Sequence, residues 1–261
     1  MPEVALRWLG VVSFEIVLNN QHIIVDPFIT DAPYNGGLTS DVIERADLLL
    51  LSHCHWDHIM DIPDIMRRFN PPLLTGERAA WEMVQWLDCS PSRVYPMWPG
   101  MELDFDFVRV QALPGRHTDL HKPLSQLREH FAANALVQRQ NSEAFLNMQL
   151  VGSFEYRNYL LTTPQGKRIL IWGNDPTVEQ RNLLRGLRPD IALLQYSKQK
   201  PDDMIRFAAD IGAQCFIPHH MDLKRSREQY QPLIDKLREG LHEAVPEIRF
   251  IQPEYNHWYT F

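Results

Sequence analysis

The sequence predicts one α/β domain, and three observations carry that expectation. Short apolar strand candidates alternate with helical patches along 261 residues. No Pro- or Ser-rich linker and no break in composition divides the chain, so residues 1–261 read as a single unit. Ligating side chains recur directly after apolar runs, at the carboxyl ends of strands, where open α/β sheets place their sites. A hydrophobic share of 44% against 23% charged residues supplies a core at this length without disulfide staples, and it excludes a disordered or collagen-like chain.

The first elements read as a meander: residues 5–9, then 13–18, where Phe14, Ile16 and Leu18 alternate with other residues, then 22–25, with Asn19-Asn20 supplying the turn. A helical approach over 40–45 leads to Leu48-Leu49-Leu50-Leu51, a wholly apolar run that suits a strand covered on both faces. Helical patches at about 62–69 and 77–86 alternate with strand candidates at 73–75 and 107–113. Residues 118–147 read as a helical insertion that caps the site or forms a subunit contact. From 123 to 147 the chain is polar, with Leu124, Leu127, Phe131, Leu136 and Phe145 only loosely at helical spacing. A second set of strands begins near Met148, with 156–163 and 168–172 joined by a Pro164-Gln165-Gly166-Lys167 turn. Helix and strand then alternate to the end through strands at 191–194 and 214–217.

Charge and motif content exclude several functions. Lys and Arg number 26 against 33 Asp and Glu, a formal charge of −7, so the field of the whole molecule disfavours a nucleic-acid partner. The longest clean aliphatic run, 48–51, is far short of a membrane span, and Met1-Pro2-Glu3-Val4 does not open a signal peptide; the expectation is a protein without a membrane partner. Three cysteines, Cys54, Cys89 and Cys215, are an odd number without CxxC spacing, which fits a reducing cytoplasm. The chain has no GxGxxG, no Gly-Lys-Ser/Thr phosphate cradle and no GxSxG elbow, so nucleotide binding and serine hydrolysis are unsupported.

The informative motif is His53-Cys54-His55-Trp56-Asp57-His58, directly after the apolar run. Imidazoles two residues apart on an extended segment point to one side and can grip one cation, while the turn that follows swings Asp57 and His58 toward a neighbouring position. Burying four such side chains unpaired would cost several kcal/mol. Further ligands stand after later strands: His117 behind Pro114-Gly115-Arg116, Asp175 behind Gly173-Asn174, and His219 and His220 behind Pro218. Imidazole and carboxylate donors suit zinc, iron or manganese.

This set, with the opening Leu6-Arg7-Trp8-Leu9-Gly10 and Ile23-Ile24-Val25-Asp26-Pro27-Phe28 and the late Ile217-Pro218-His219-His220, resembles the metallo-β-lactamase superfamily, and within it the L-ascorbate 6-phosphate lactonase-like hydrolases. The resemblance covers nearly the whole chain and implies a four-layer αβ/βα sandwich with metals in the cleft between the sheets. It implies that His53, His55 and His117 hold one divalent ion, that Asp57, His58 and His220 hold another, and that Asp175 bridges the two. The family has Gly-Asp where this chain reads Gly173-Asn174-Asp175, so the bridging place falls either to Asp175 or to Asn174. The family's single residue between proline and ligand selects His220 over His219. Two ions, zinc in the first instance with manganese or iron as alternatives, would share a hydroxide of lowered pKa. Asp57 would be ligand and catalytic orienter.

The function implied is hydrolysis of a small, anionic ester, lactone or phosphoester; the alternatives are a nuclease or phosphodiesterase, or an iron-dependent oxidoreductase, on the same fold. Arg116, Tyr196, Lys198 and Lys224 are candidates for a substrate anion, although Lys and Arg are more often solvated surface. Asp26 is a candidate to hold a ligand imidazole from behind, and Trp56 to wall the cleft. Cys54 should face away from the metals. His22, His121, His130, His242 and His257 have no partner spacing and read as ordinary residues. The insertion leaves a homo-oligomer open.

Overall fold

The computed structural model describes residues 3–117, 122–196 and 201–261. The amino-terminal half contributes strands β1 (Val4–Gly10), β2 (Ser13–Leu18), β3 (Gln21–Val25), β4 (Leu48–Leu50), β5 (Leu73–Gly76) and β6 (Val94–Met97), with helices α1 (Trp56–Ile59), α2 (Ile62–Phe69) and α3 (Ala80–Leu87) between the later ones. Strands β7 (Glu102–Phe105) and β8 (Val108–Pro114) are followed by three short helices, α4 (Leu124–Ala132), α5 (Ala135–Gln140) and α6 (Glu143–Gly152). The rest comprises β9 (Arg157–Thr162), β10 (Arg168–Trp172), α7 (Val178–Leu184), β11 (Ile191–Gln195), α8 (Pro201–Ile211), β12 (Cys215–His219), α9 (Arg227–Ala244), β13 (Arg249–Phe250) and β14 (Trp258–Thr260).

These strands make two seven-stranded sheets, in the orders β14-β1-β2-β3-β4-β5-β6 and β13-β12-β11-β10-β9-β8-β7. In both, antiparallel pairs give way to parallel ones: β3, β4, β5 and β6 run parallel, as do β10, β11, β12 and β13. Helices cover the outer faces, giving the four-layer αβ/βα sandwich that the resemblance implies. The Leu48–Leu51 run shows why so short a strand is wholly apolar. Leu48 and Leu50 enter the core between the sheets, while Leu49 and Leu51 enter a second core beneath α2, α3 and α6.

Where sequence expectation and structure differ, a specific bond is responsible. The helix expected over 40–45 is a single 3₁₀ turn, Ser40–Val42. Ile43 is already extended there, and Arg68 Nη1 and Nη2 donate to the Ser40 and Ile43 carbonyls. The helix expected from 77 starts at Ala80, because the backbone amides of Arg78 and Ala79 donate to the buried Glu155 carboxylate. Met148 lies inside α6, ahead of the second strand set. Strands β6 and β7 are four residues each, too short for a pattern to mark, and along β6 the two outer residues are buried and the two inner ones exposed, without period-2 alternation.

Arg157, buried at the start of β9, ties the sheets together at the end that carries the site. Its backbone amide donates to Ser52 O at 2.8 Å. Its guanidinium donates to Met97 O (2.9 Å) and Tyr156 O (3.0 Å) and pairs with Glu155 (3.2 Å) and Glu77. Replacing it with methionine leaves Glu155 buried beside an uncharged side chain. Arg157→Met should lower unfolding free energy by about 3–5 kcal/mol; a urea midpoint shift worth less than about 1 kcal/mol would show that the clamp is dispensable.

Candidate metal centre

Three segments at one end of the sandwich bring these side chains together: the β4–α1 loop continuing into α1, the segment after β8 and the segment after β12. His53, His55 and His117 place one nitrogen each within 4.8 Å of one another; Asp57, His58 and His220 form a second triad on the same criterion. All six line one cavity of ≈ 210 Å³. His53 Nε2 and His55 Nδ1 are 3.0 Å apart, two ring nitrogens facing each other in a buried space. Burial, together with the neighbouring imidazoles of His58, His55 and His117, holds His53 well below the usual imidazole range, so it is neutral, the coordinating form.

The rings of His53, His55 and His58 have hydrogen-bonding groups behind them. His55 Nε2–H donates to Gln149 O and Ser153 Oγ, both at 3.1 Å, which leaves Nδ1 toward the triad. Cys54 points the other way, its Sγ donating to Met148 O at 2.8 Å. Gln149 also donates to Cys54 O and accepts from the Trp56 amide. Helix α6 thus grips the motif backbone residue by residue, and it can approach so closely because residue 152 is glycine: a Cβ there would stand 2.7 Å from His55 Cδ2. His58 Nδ1 lies 3.0 Å from Asp26 Oδ2, and Asp26 also accepts from the Ser52 amide (2.7 Å) and hydroxyl (2.6 Å). Burial lowers the His58 pKa, but Asp26 and Asp57 outweigh it and raise it overall. For Asp57 burial pushes upward, and His58 with His220, 3.5 Å away, hold the carboxyl well below the usual range; it is ionised. Five imidazoles and one carboxylate are a donor set that suits borderline divalent ions, with carbonyl, hydroxyl and carboxylate groups behind the rings of His53, His55 and His58.

His220 is held by backbone. It has φ 62°, and its amide donates to Val11 O at 2.7 Å. Val11, a β-branched residue at φ 48°, donates its amide to both oxygens of buried Asp222, which also accepts from Tyr255 OH (2.9 Å). His219 is turned into the core edge-on to Phe14, where burial, with His220 and His58 nearby, lowers its pKa to about 3.

Six of the seven predicted ligands therefore meet. The seventh, Asp175, is exposed and does not line the cavity; Asn174 does. The turn after β10 explains the exchange: Asn174 is left-handed (φ 62°), its carbonyl accepts from Trp172 Nε1 and its Nδ2 donates to Arg116 O, which turns the amide inward and the next side chain outward. Gly173 precedes it because a Cβ there would overlap the Tyr156 hydroxyl.

Among the predicted anion-binding residues, Arg116 is exposed and outside the cavity lining, and Tyr196 is packed in the core between the sheets. Lys198 lies outside the described residues, as does His121. Lys224 lines the rim beside Arg225, which sequence reasoning passed over. His130, read as ordinary, lines the cavity next to Phe131, whose ring lies 4.8 Å from His55. Tyr156 was also missed: its ring stacks on His53 at 4.6 Å and its hydroxyl donates to Gln195 Oε1 at 3.0 Å. Nothing local to Gln149, Ser153, Tyr156 or Asp222 marks them, since each acts on a residue distant in sequence.

If Asp26 orients His58, Asp26→Ala should lower affinity for the metal by about 10- to 100-fold while the far-ultraviolet circular dichroism stays native. Chelator competition with Zn²⁺ measures this, and an unchanged affinity would remove Asp26 from the site.

Residues 5–132 match the family model described as "Beta-lactamase superfamily domain". A UPF0173 metal-dependent hydrolase of Bacillus cereus is 24% identical over 230 residues, covering 86% of this chain and 88% of the relative. Among solved structures, Igni18, a metallo hydrolase from Ignicoccus hospitalis, superposes with TM-score 0.73 at 16% identity, over 99% of this chain and 98% of the other. CmlA, a diiron β-hydroxylase from Streptomyces venezuelae, superposes with TM-score 0.65 at 12% identity, over 100% of this chain and 55% of the other. At such identities the structural likeness speaks for the fold alone, which two chemistries share. The chain thus carries the metallo-β-lactamase fold throughout its described residues, and its residues 5–132 match the sequence model of that superfamily.

Proposed function

We propose that this protein is a metal-dependent hydrolase of a small anionic ester, lactone or phosphoester, with two divalent ions, zinc in the first instance, held by His53, His55 and His117 and by Asp57, His58 and His220. The observation that carries this reading is that both triads open on one cavity with a single ionised carboxylate, Asp57, between imidazoles. Bound there, the ions would supply Lewis acidity toward a carbonyl or phosphoryl oxygen and lower the pKa of water. The similarity to UPF0173 metal-dependent hydrolases supports the same class.

The chain's own residues supply the rest. Asp57, held ionised, would accept a hydrogen bond from the attacking water and so aim it. Trp56, Phe131, Met221 and Leu223 provide apolar walls that exclude bulk solvent from the reacting group. Lys224 and Arg225 stand at the rim as two adjacent cations, suited to an anionic substituent away from the scissile bond. A cavity of ≈ 210 Å³ suits a small molecule.

The test is protein loaded separately with Zn²⁺, Mn²⁺ or Fe²⁺ and assayed on carboxylic esters, lactones, phosphomonoesters and phosphodiesters. Turnover of a small ester or lactone supports the proposal; activity confined to polynucleotides, or only oxygen-dependent turnover with iron, overturns it. Asp57→Asn should reduce kcat at least about 100-fold in folded protein, and near-normal turnover would exclude it from the chemistry. Removing Lys224 and Arg225 together should raise KM about three- to tenfold for an anionic ester and leave a neutral ester unchanged. Equal effects on both would show that the pair does not read charge.

A further inference from the structure

We infer that the two triads take metal unequally: one ion binds tightly at Asp57, His58 and His220, and a second binds weakly at His53, His55 and His117, because Asn174 presents an amide to the cavity where a carboxylate would be needed to hold both. The inference rests on the metal-centre reading above and concerns how this chain departs from a symmetric pair.

The charge count is the physical reason. Asp57 is the only carboxylate among the described residues that line the cavity, and Asp175 is exposed and outside that lining. Two divalent cations would bring four positive charges against one. In a buried space their mutual repulsion is weakly screened, and it falls mainly on whichever ion arrives second. An amide oxygen can approach a cation, but it carries no net charge to offset the repulsion. The triads also differ in what stands behind them. His58 is backed by the Asp26 carboxylate at 3.0 Å and sits beside Asp57. His53 lies 3.2 Å from the Ser52 hydroxyl and His55 is held by a carbonyl and a hydroxyl, neutral partners that orient a ring without adding charge. Both features favour the Asp57 triad for the first ion. Asn174 is fixed in place rather than adventitious: it is buried, left-handed, and bonded through Nδ2 to Arg116 O and through its carbonyl to Trp172 Nε1.

The experiment is titration of the metal-free full-length chain with Zn²⁺ against a chromophoric chelator, which counts equivalents without reading activity. The wild type should take one equivalent tightly and the second at least about 100-fold more weakly. Asn174→Asp should tighten the second step at least about tenfold, the direction expected from one added negative charge near two dications. Asp175→Asn should change neither step, and His117→Ala should keep the tight equivalent that His220→Ala loses. Two wild-type equivalents within tenfold of each other, loss of the second step in Asp175→Asn, or retention of the tight step in His220→Ala would each overturn the inference. Asn174→Ala guards against misfolding of the charged variant: it should preserve the wild-type two-step pattern, and loss of its first step would show a structural role instead. Absence of any Zn²⁺ binding would overturn the metal-centre reading itself, an outcome distinct from two tight equivalents.

Discussion

Confining several imidazoles and a carboxylate in one buried space is unfavourable unless each ring has a fixed tautomer and a partner behind it. Much of the polar structure around the cavity serves that constraint at His53, His55 and His58. Helix α6 is drawn against the motif so that Gln149 and Ser153 can hold His55 and the flanking backbone. Asp26, at the end of β3, gathers Ser52 and His58 into one hydrogen-bonded group. Asp222 stabilises the left-handed Val11 turn whose carbonyl receives the His220 amide. The aromatic face of Tyr156 completes the support on the side of His53.

The two sheets do different work in this arrangement. The first presents the dense motif at the end of β4 and the buried carboxylate at the end of β3. The second brings His117 and Asn174 from β8 and β10, whose ends are joined through Asn158: its Oδ1 accepts from the Gly173 amide and its Nδ2 donates to Pro114 O. Arg157, next in the chain to Asn158, reaches across to the first sheet. Because the clamp and the ligand loops share β9, the separation of the sheets and the geometry of the site are set by the same residues.

Substitution of an amide for a carboxylate at the floor of a metal cavity changes the electrostatics without changing the shape. Asn174 and an aspartate would occupy nearly the same volume, so the fold gives no warning of the difference. The consequence is a cavity lined by one carboxylate, Asp57, and by the cations Lys224 and Arg225 among the described residues.

The sequence by itself determined what is local. Four side chains able to ligate within six residues, the apolar run before them, the first meander and the outward direction of Cys54 were all legible, because period and spacing act over a few residues. His117 and His220 were legible through their position after strands together with a family resemblance. The tertiary structure decided what depends on distance in the chain. The supports at Gln149, Ser153, Tyr156 and Asp222 have no local signature, and the early stop of the expected helix at 40–45 depends on Arg68 reaching back to two carbonyls. Whether Asn174 or Asp175 faces the cavity depended on a single left-handed residue, whose backbone angle is fixed by Trp172 and Arg116 around it. A ligand's residue type can be read from a sequence, but the direction in which a turn points its side chain is set by the groups that pack against that turn.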